Sequence, residues 1–179
     1  MTSVLLIYAS THGHTAKVSR RIAERLRSAN VEIDLHDVSA GHDPSPLERD
    51  GVVVAGSVHR GHHQRELINW VKRHRTSLAE HPTAFMSVSL TAAEDTDEAH
   101  AATQGWIDDF IAETAWTPTR SVGIAGALQY REYDFFTRTL MRLLMRHGGH
   151  PTDASRDYDF TDWAQVDRFG DEFAALVPT

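Results

Sequence analysis

The sequence contains no cysteine, and this absence excludes several kinds of chemistry. Without thiols the protein can form no disulfide, hold no cysteine-ligated iron–sulfur cluster and use no thiol nucleophile. Any redox reaction would therefore depend on a bound cofactor, because no redox-active side chain of this kind is present.

The sequence also lacks a long apolar segment. No uninterrupted apolar run approaches the ~20 residues that span a bilayer, and the first residues lack the basic and apolar regions of a signal peptide. We therefore expect a soluble or peripheral protein in the cytoplasm. The formal net charge of -7 disfavours a general nucleic-acid-binding protein, so no nucleic-acid partner is expected.

What the sequence does contain is a regular alternation of strand and helix patterns. Apolar runs typical of buried parallel strands lie at 4–8, 51–56, 84–90 and 121–125. An alternating pattern typical of an edge strand lies at 31–37. Amphipathic helical patterns separate them. Because parallel neighbours need crossover connections, this alternation predicts a doubly wound, five-stranded parallel α/β sheet in a single domain covering 1–179.

One long connection departs from this alternation. The stretch 127–160 follows the last predicted strand and is far longer than the usual loop, and such connections are often functional. Within it, 133–147 has the pattern of an amphipathic helix rich in Phe, Leu, Met and Arg. Thr161 is then predicted to be the N-cap of a closing helix.

The loop between the first strand and the first helix has the composition of an anion site. It comprises Ser10, Thr11, His12, Gly13, His14 and Thr15. Amides at a helix start are unpaired and favour an anion, hydroxyls add donors, and Gly13 permits close backbone approach. The loop has no Lys or Arg and matches neither a P-loop nor a dinucleotide-binding glycine pattern. It is typical of a flavin mononucleotide (FMN) phosphate site, with a solvated turn as the alternative.

Two further loops follow predicted strands at their carboxyl ends. They cover 57–62 and 89–94. In a doubly wound sheet such loops meet at one edge, where ligands bind near the switch in strand order. We expect these two loops and 10–15 to form one crevice for a ring system with a phosphate tail.

Several motifs together resemble a known family. The segment 8–15 is similar to a flavodoxin phosphate loop, with His12 in a position where many flavodoxins carry threonine. More specific are the segments 56–63, 85–92, 126–130 and 161–163. With the long connection 127–160, they resemble the flavodoxin-type, quinone-dependent protoporphyrinogen IX dehydrogenases of bacterial haem synthesis over nearly the whole chain.

The resemblance implies a fold, a cofactor and partners. The fold would be flavodoxin-like, with strand order 2-1-3-4-5 and 127–160 as a helical insertion after the last strand. FMN would be held through its phosphate by 10–15. The residues that would flank its ring are Val58, His59, Arg60, Gly61, Ser89, Leu90, Thr91 and Ala92. Family members pass electrons from protoporphyrinogen IX to a quinone at the inner membrane face, which implies peripheral membrane contact.

Three neighbouring histidines have two interpretations. Imidazole is a common metal ligand, so His59, His62 and His63 could bind a metal. No second spaced set of ligands accompanies them, which favours a polar wall of the flavin loop, and no metal is expected. No catalytic residue is assigned, since hydride loss to a flavin is mostly the cofactor's chemistry.

The predicted helix 133–147 has three interpretations. Its apolar side could lie on an anionic membrane near a lipid-soluble quinone. Its arginines could instead pair with the propionates of a porphyrinogen. It could also simply pack on the core. The oligomeric state stays open, with a homodimer as one alternative.

Two other classes of protein share the predicted topology. A flavodoxin-type electron carrier is the alternative to an enzyme, but carriers surround the flavin with acids, whereas the two ring loops here carry Arg60, several histidines and only Glu94. A phosphoreceiver domain needs an acidic pair after the first strand and an aspartate after the third. Those positions hold Ala9-Ser10 and Ala55-Gly56, which excludes that class.

Overall fold

The computed structural model describes residues 2–128 and 157–178 of the chain. Most of the predicted insertion, including the amphipathic helix expected at 133–147, lies outside the described residues. Within those two ranges no helix is both long enough and apolar enough to cross a membrane.

Five parallel strands form the central sheet. They are β1 (Ser3–Ala9), β2 (Glu32–Asp37), β3 (Gly51–Ser57), β4 (Thr83–Ser89) and β5 (Arg120–Ala125). Their order is β2-β1-β3-β4-β5, which confirms the predicted sheet. β1, β3 and β4 are buried along nearly their whole length, as their continuous apolar runs indicate, whereas β2 is a half-exposed edge strand.

Helices cover both faces of the sheet. They are α1 (His14–Ser28), α2 (Arg65–Leu78), α3 (Asp97–Thr114) and α4 (Trp163–Ala174). Because side chains alternate along a strand, Leu6 of β1 packs in the cluster with α1 and α4, and Ile7 packs in the cluster with α2 and α3. The sheet therefore separates two apolar cores.

The strand register aligns the carboxyl ends of the central strands. Ala9 of β1 lies opposite Gly56 of β3, and Ser89 of β4 lies opposite Ala125 of β5. The loops that follow these strands consequently begin at nearly the same level of the sheet, which places the predicted site loops at one edge.

A short antiparallel pair lies where the chain leaves and re-enters the described part. β6 (Ala127–Leu128) pairs with β7 (Tyr158–Asp159), so the two ends of the intervening segment are held together. Gly126 donates its N–H to Ser89 O at 2.8 Å. A Cβ on Gly126 would lie 3.3 Å from the carbonyl carbon of Ser89, so glycine permits this close approach beside the β4 loop.

Ion pairs join α1 to β7 and α4 along one side of the protein. Three basic residues spaced four apart on α1 each meet an aspartate, in the pairs Lys17–Asp159, Arg21–Asp167 and Arg25–Asp171. Both arginine pairs are bidentate, with N···O distances of 2.6–2.9 Å. A Cβ on Gly170 would lie only 3.0 Å from Arg25 Cβ, so glycine allows the two helices to approach closely.

These arginine pairs should contribute a small, salt-sensitive part of the stability. The hydrogen bonds from Arg21 and Arg25 hold the pKa values of Asp167 and Asp171 below their usual range. Their contribution is present above the ordinary carboxyl pKa of about 4 and is lost as the pH falls below it. We predict that the double substitution Arg21→Gln, Arg25→Gln lowers the thermal midpoint at pH 7 in low salt, and that this difference shrinks in high salt and at acidic pH.

The matched control is Arg20→Gln, Arg27→Gln. It removes the same charge from the same helix at two exposed positions that have no carboxylate partner in the described ranges. Equal midpoints for the two double variants in low salt would contradict a role for the pairs.

Candidate functional site

Two of the three predicted site loops, 10–15 and 57–62, contact each other at the carboxyl edge of the sheet. Gln64 Nε2 donates to Thr11 Oγ1 at 3.2 Å and also to Ser57 Oγ, while Ser57 N donates to Gln64 Oε1 at 3.2 Å. The rings of His12 and His59 lie 6.1 Å apart between centroids. The 10–15 loop and the loop after β3 are therefore directly connected. Gln64 is the residue that joins them, and no motif in the sequence marked it.

Among the described residues, no side chain caps the backbone amides at the start of α1. Gly13 occupies the N-cap position with φ of 84°, no side chain caps the helix, and the first turn contains no acidic residue. The first helical hydrogen bond runs from Lys17 N to Gly13 O, so the preceding amides of the turn have no helical acceptor. A negatively charged ligand would satisfy these donors.

Ser10 strengthens this interpretation. Its hydroxyl oxygen is buried but has no hydrogen-bond partner within the described residues. A buried polar atom normally has a hydrogen-bond partner. A phosphate bound at the amides of the α1 N-terminus would supply a partner for this hydroxyl. With Thr15 also buried in the first turn, the residues fit a phosphate monoester held without a cation.

His14, the first residue of α1, has a different environment. Its ring is nearly buried, and Nε2 lies 2.7 Å from Thr161 Oγ1 and 3.9 Å from Asp159 Oδ1. Burial lowers the pKa of His14 below its usual value, against the opposing field of Asp159, so the imidazole is neutral at neutral pH. The sequence predicted that Thr161 caps the closing helix. That is wrong, because Asp162 is the N-cap of α4 and accepts from the N–H of Ala164 and Gln165.

The loop after β3 is a tight turn. His59 and His62 exchange backbone hydrogen bonds of 2.8 and 3.1 Å, and the two residues between them, Arg60 and Gly61, have φ of 51° and 82°. Positive φ at both central positions defines a type I′ turn, which glycine accommodates without strain. Val58 N donates to Val88 O at 2.8 Å and extends the β3–β4 pairing into this loop.

His63 does not belong to the wall of this loop. Its ring is buried in the core on the α2–α3 face, 5.2 and 5.0 Å from the ring centroids of Phe85 and Phe110, and its Nε2 lies 3.0 Å from Ser87 Oγ. Burial lowers its pKa to about 4. Across 2–128 and 157–178, no group of three His, Asp or Glu side chains is placed to hold a metal ion.

The loop after β4 turns back on itself. Thr91–Ala93 forms a 3₁₀ turn, and Ala92 N donates to Ser89 Oγ at 3.2 Å, while Leu90 and Thr91 are partly exposed. An open cleft of about 310 Å³ adjoins this loop. Its other walls include His100, Phe160, Gln165 and Arg168, which the sequence did not mark as site residues.

The strand order β2-β1-β3-β4-β5 of this parallel sheet is that of the flavodoxin-like class of proteins. Comparison with known proteins gives the family. The flavodoxin domain family matches residues 5–155, and the chain belongs to this family.

Relatives and solved structures agree with this membership. Protoporphyrinogen IX dehydrogenase [quinone] of Leishmania major is 36% identical over 173 residues, covering 96% of this chain and 74% of that protein. The protein of the same name from Escherichia coli K12 is 31% identical, covering 97% and 95%. Oxidised flavodoxin 1 from Bacillus cereus shares the fold, with a TM-score of 0.60 at 15% identity, covering 99% and 100%.

The buried imidazole of His63 should make the stability depend on pH. It stays neutral in the folded chain down to about pH 4 but takes up a proton near pH 6.5 when the chain unfolds. The unfolded state therefore binds more protons between these values, and the free energy of unfolding should fall by about 3 kcal/mol as the pH falls through this interval.

Urea denaturation at several pH values would measure this dependence. The substitution His63→Gln should reduce the slope of the curve between about pH 6.5 and 4, leaving the part to which buried His14 contributes in the same direction. Parallel curves for the wild type and His63→Gln would contradict the assignment.

Proposed function

We propose that the protein is an FMN-dependent oxidoreductase of the protoporphyrinogen IX dehydrogenase (quinone) type. A porphyrinogen is oxidised, and a quinone accepts the electrons and protons. The observation that carries the proposal is the N-terminus of α1, which has no side-chain cap and no acid in its first turn, beside the Ser10 hydroxyl, which has no partner within the described residues. The relatives that align with nearly the whole of this chain bear that enzyme's name, and we take the proposed substrate and acceptor from that name.

The chain's own residues would bind and orient the cofactor. The amides of the 10–15 loop and the hydroxyls of Ser10, Thr11 and Thr15 would hold the phosphate. The loops 58–61 and 89–92 would flank the ring, with His12 and His59 where the first two loops meet. When bound, FMN supplies the hydride-accepting chemistry, and the protein supplies orientation and the surrounding polarity.

The electron-carrier alternative is less well supported by the site's charges. The turn beside the proposed ring position exposes Arg60 and two histidines, His59 and His62. A positive wall favours a negatively charged reduced flavin and a neutral wall does not oppose it, whereas an acidic wall would disfavour it. This favours substrate chemistry in which the flavin is fully reduced.

The acceptor and the place of action are part of the same proposal. We place the protein in the cytoplasm, touching the inner face of the membrane through 133–147, where it would meet a lipid-soluble quinone. β6 and β7 pair next to the β4 loop, so the chain leaves and re-enters the described part beside the proposed ring position.

Removal of the Ser10 hydroxyl should weaken FMN binding without harming the fold. Since this hydroxyl has no partner in the described residues, Ser10→Ala should leave the thermal midpoint of the cofactor-free protein nearly unchanged. It should raise the Kd for FMN more than about tenfold, since one hydrogen bond to a charged group contributes about 1.5–3 kcal/mol. Titration monitored by flavin fluorescence quenching measures the Kd.

Ser19→Ala is the matched control for this experiment. Ser19 likewise has a buried hydroxyl with no partner in the described part of the chain, but it lies on α1, beyond the anion loop. Its loss should not change the Kd for FMN. If both variants bind FMN as the wild type does, Ser10 takes no part in phosphate binding.

The proposed reaction can be tested directly under anaerobic conditions. FMN-loaded protein given protoporphyrinogen IX and a quinone should form porphyrin at a rate that depends on both. Replacement of 133–147 by a short Gly/Ser linker should abolish quinone-linked turnover while FMN stays bound. A protein that binds FMN but ignores porphyrinogen would support the carrier instead, and full activity of the linker variant would exclude the proposed role of that segment.

A further inference from the structure

The segment that enters α4 contacts the first turn of α1. Thr161 lies 2.7 Å from His14 Nε2, and its hydroxyl also lies 2.9 Å from Ala125 O at the end of β5. The ring of Trp163 lies 6.2 Å from that of His14. Residues that are distant in sequence therefore fix His14, which belongs to the anion loop and is the first residue of α1.

The hydrogen-bond donors and acceptors in this contact can be assigned. A carbonyl oxygen only accepts, so the single hydroxyl proton of Thr161 goes to Ala125 O. The Thr161 oxygen must then accept from His14, which requires a proton on Nε2. A neutral His14 is consequently the Nε2–H tautomer, with Nδ1 unprotonated.

A second contact lies one turn further along α1. Lys17 Nζ donates to Asp159 Oδ2 at 2.7 Å and lies 4.8 Å above the ring centroid of Trp163. Asp159 Oδ1 also accepts from the N–H of Thr161 at 3.1 Å. Burial acts to raise the pKa of Asp159, but the hydrogen bonds from Lys17 and Thr161 hold it below its usual value. The carboxylate is thus charged and connects the two contacts.

We propose that Thr161 is a positioning residue for the cofactor phosphate: through His14 it holds the first turn of α1, and with it the amides of the anion loop, in the arrangement that binds a phosphate monoester. This inference rests on the proposed FMN site. Thr161 need not touch the cofactor, because its effect passes through the His14 imidazole and the rigid carbonyl of Ala125. This role accounts for Thr161 in the segment 161–163, which phosphate binding alone does not explain.

Two substitutions at Thr161 separate the effect of its hydroxyl group from the effect of its side-chain shape. Thr161→Val keeps the shape but removes the hydrogen bond, and it should raise the Kd for FMN about tenfold. Thr161→Ser keeps the hydroxyl and should bind FMN within about twofold of the wild type. Thr103→Val is the control, because it makes the same replacement at a buried hydroxyl that has no partner among the described residues.

Nitrogen-15 NMR of the histidine rings supplies a readout that a purely structural role would not change. In the cofactor-free wild type and in Thr161→Ser, His14 should give the signature of the Nε2–H tautomer. In Thr161→Val this signature should shift towards a mixture of tautomers, while Thr103→Val should retain it. The wild-type spectrum tests the hydrogen bond even if Thr161→Val does not fold.

The outcomes distinguish this inference from the proposed function. A wild type that binds no FMN overturns the proposed function and, with it, this inference. A wild type that binds FMN while Thr161→Val binds it equally well overturns the positioning role alone. An Nδ1–H tautomer in the wild type also overturns it, because the Thr161 hydrogen bond could not then exist.

Discussion

The unpaired amides at the start of α1 are the constraint on which the rest of the site depends. A helix normally satisfies these donors with a capping side chain, but Gly13 has none to offer, and the following turn contains no acid. The N-terminus also lies at the carboxyl edge of a parallel sheet, where doubly wound folds bind their ligands. An anion would supply acceptors for these amides, and Ser10 adds a hydroxyl that lacks an acceptor or donor within the described residues.

Such a site works only if α1 is held firmly, and two sets of contacts do so. Along its length, Arg21 and Arg25 pair with aspartates on α4, and Gly170 lets the backbones approach. At its start, Thr161 and Asp159 hold the first turn. Both sets come from residues 159–171, at the end of the insertion and in the closing helix. The closing segment therefore orients the first helix as well as completing the core.

Much of this architecture could be predicted because it rests on local patterns. Continuous apolar runs identified the central strands, and the residue types of the βα loop 10–15 predicted an anion site there. The neutral core position of His63 could not be predicted, since a histidine beside two other histidines gives no sign that it will pack against Phe85 and Phe110. The prediction that Thr161 is the N-cap of the closing helix was wrong for a related reason. Thr and Asp both cap helices, and the sequence does not show that the Thr161 hydroxyl contacts His14 while Asp162 caps the helix. Gln64 and the cleft lined by Arg168 depend on loops meeting in space, which no spacing in the sequence reveals.

The central claim is that the carboxyl edge of the sheet binds FMN through the α1 N-terminus. The most direct measurement is the visible absorption spectrum of the purified protein after incubation with FMN and removal of the unbound cofactor. The account predicts a yellow protein that retains about one FMN per chain and releases it when phosphate-loop residues are changed. A colourless protein, or one that retains FMN equally well after Gly13 and Ser10 are both replaced, would contradict it.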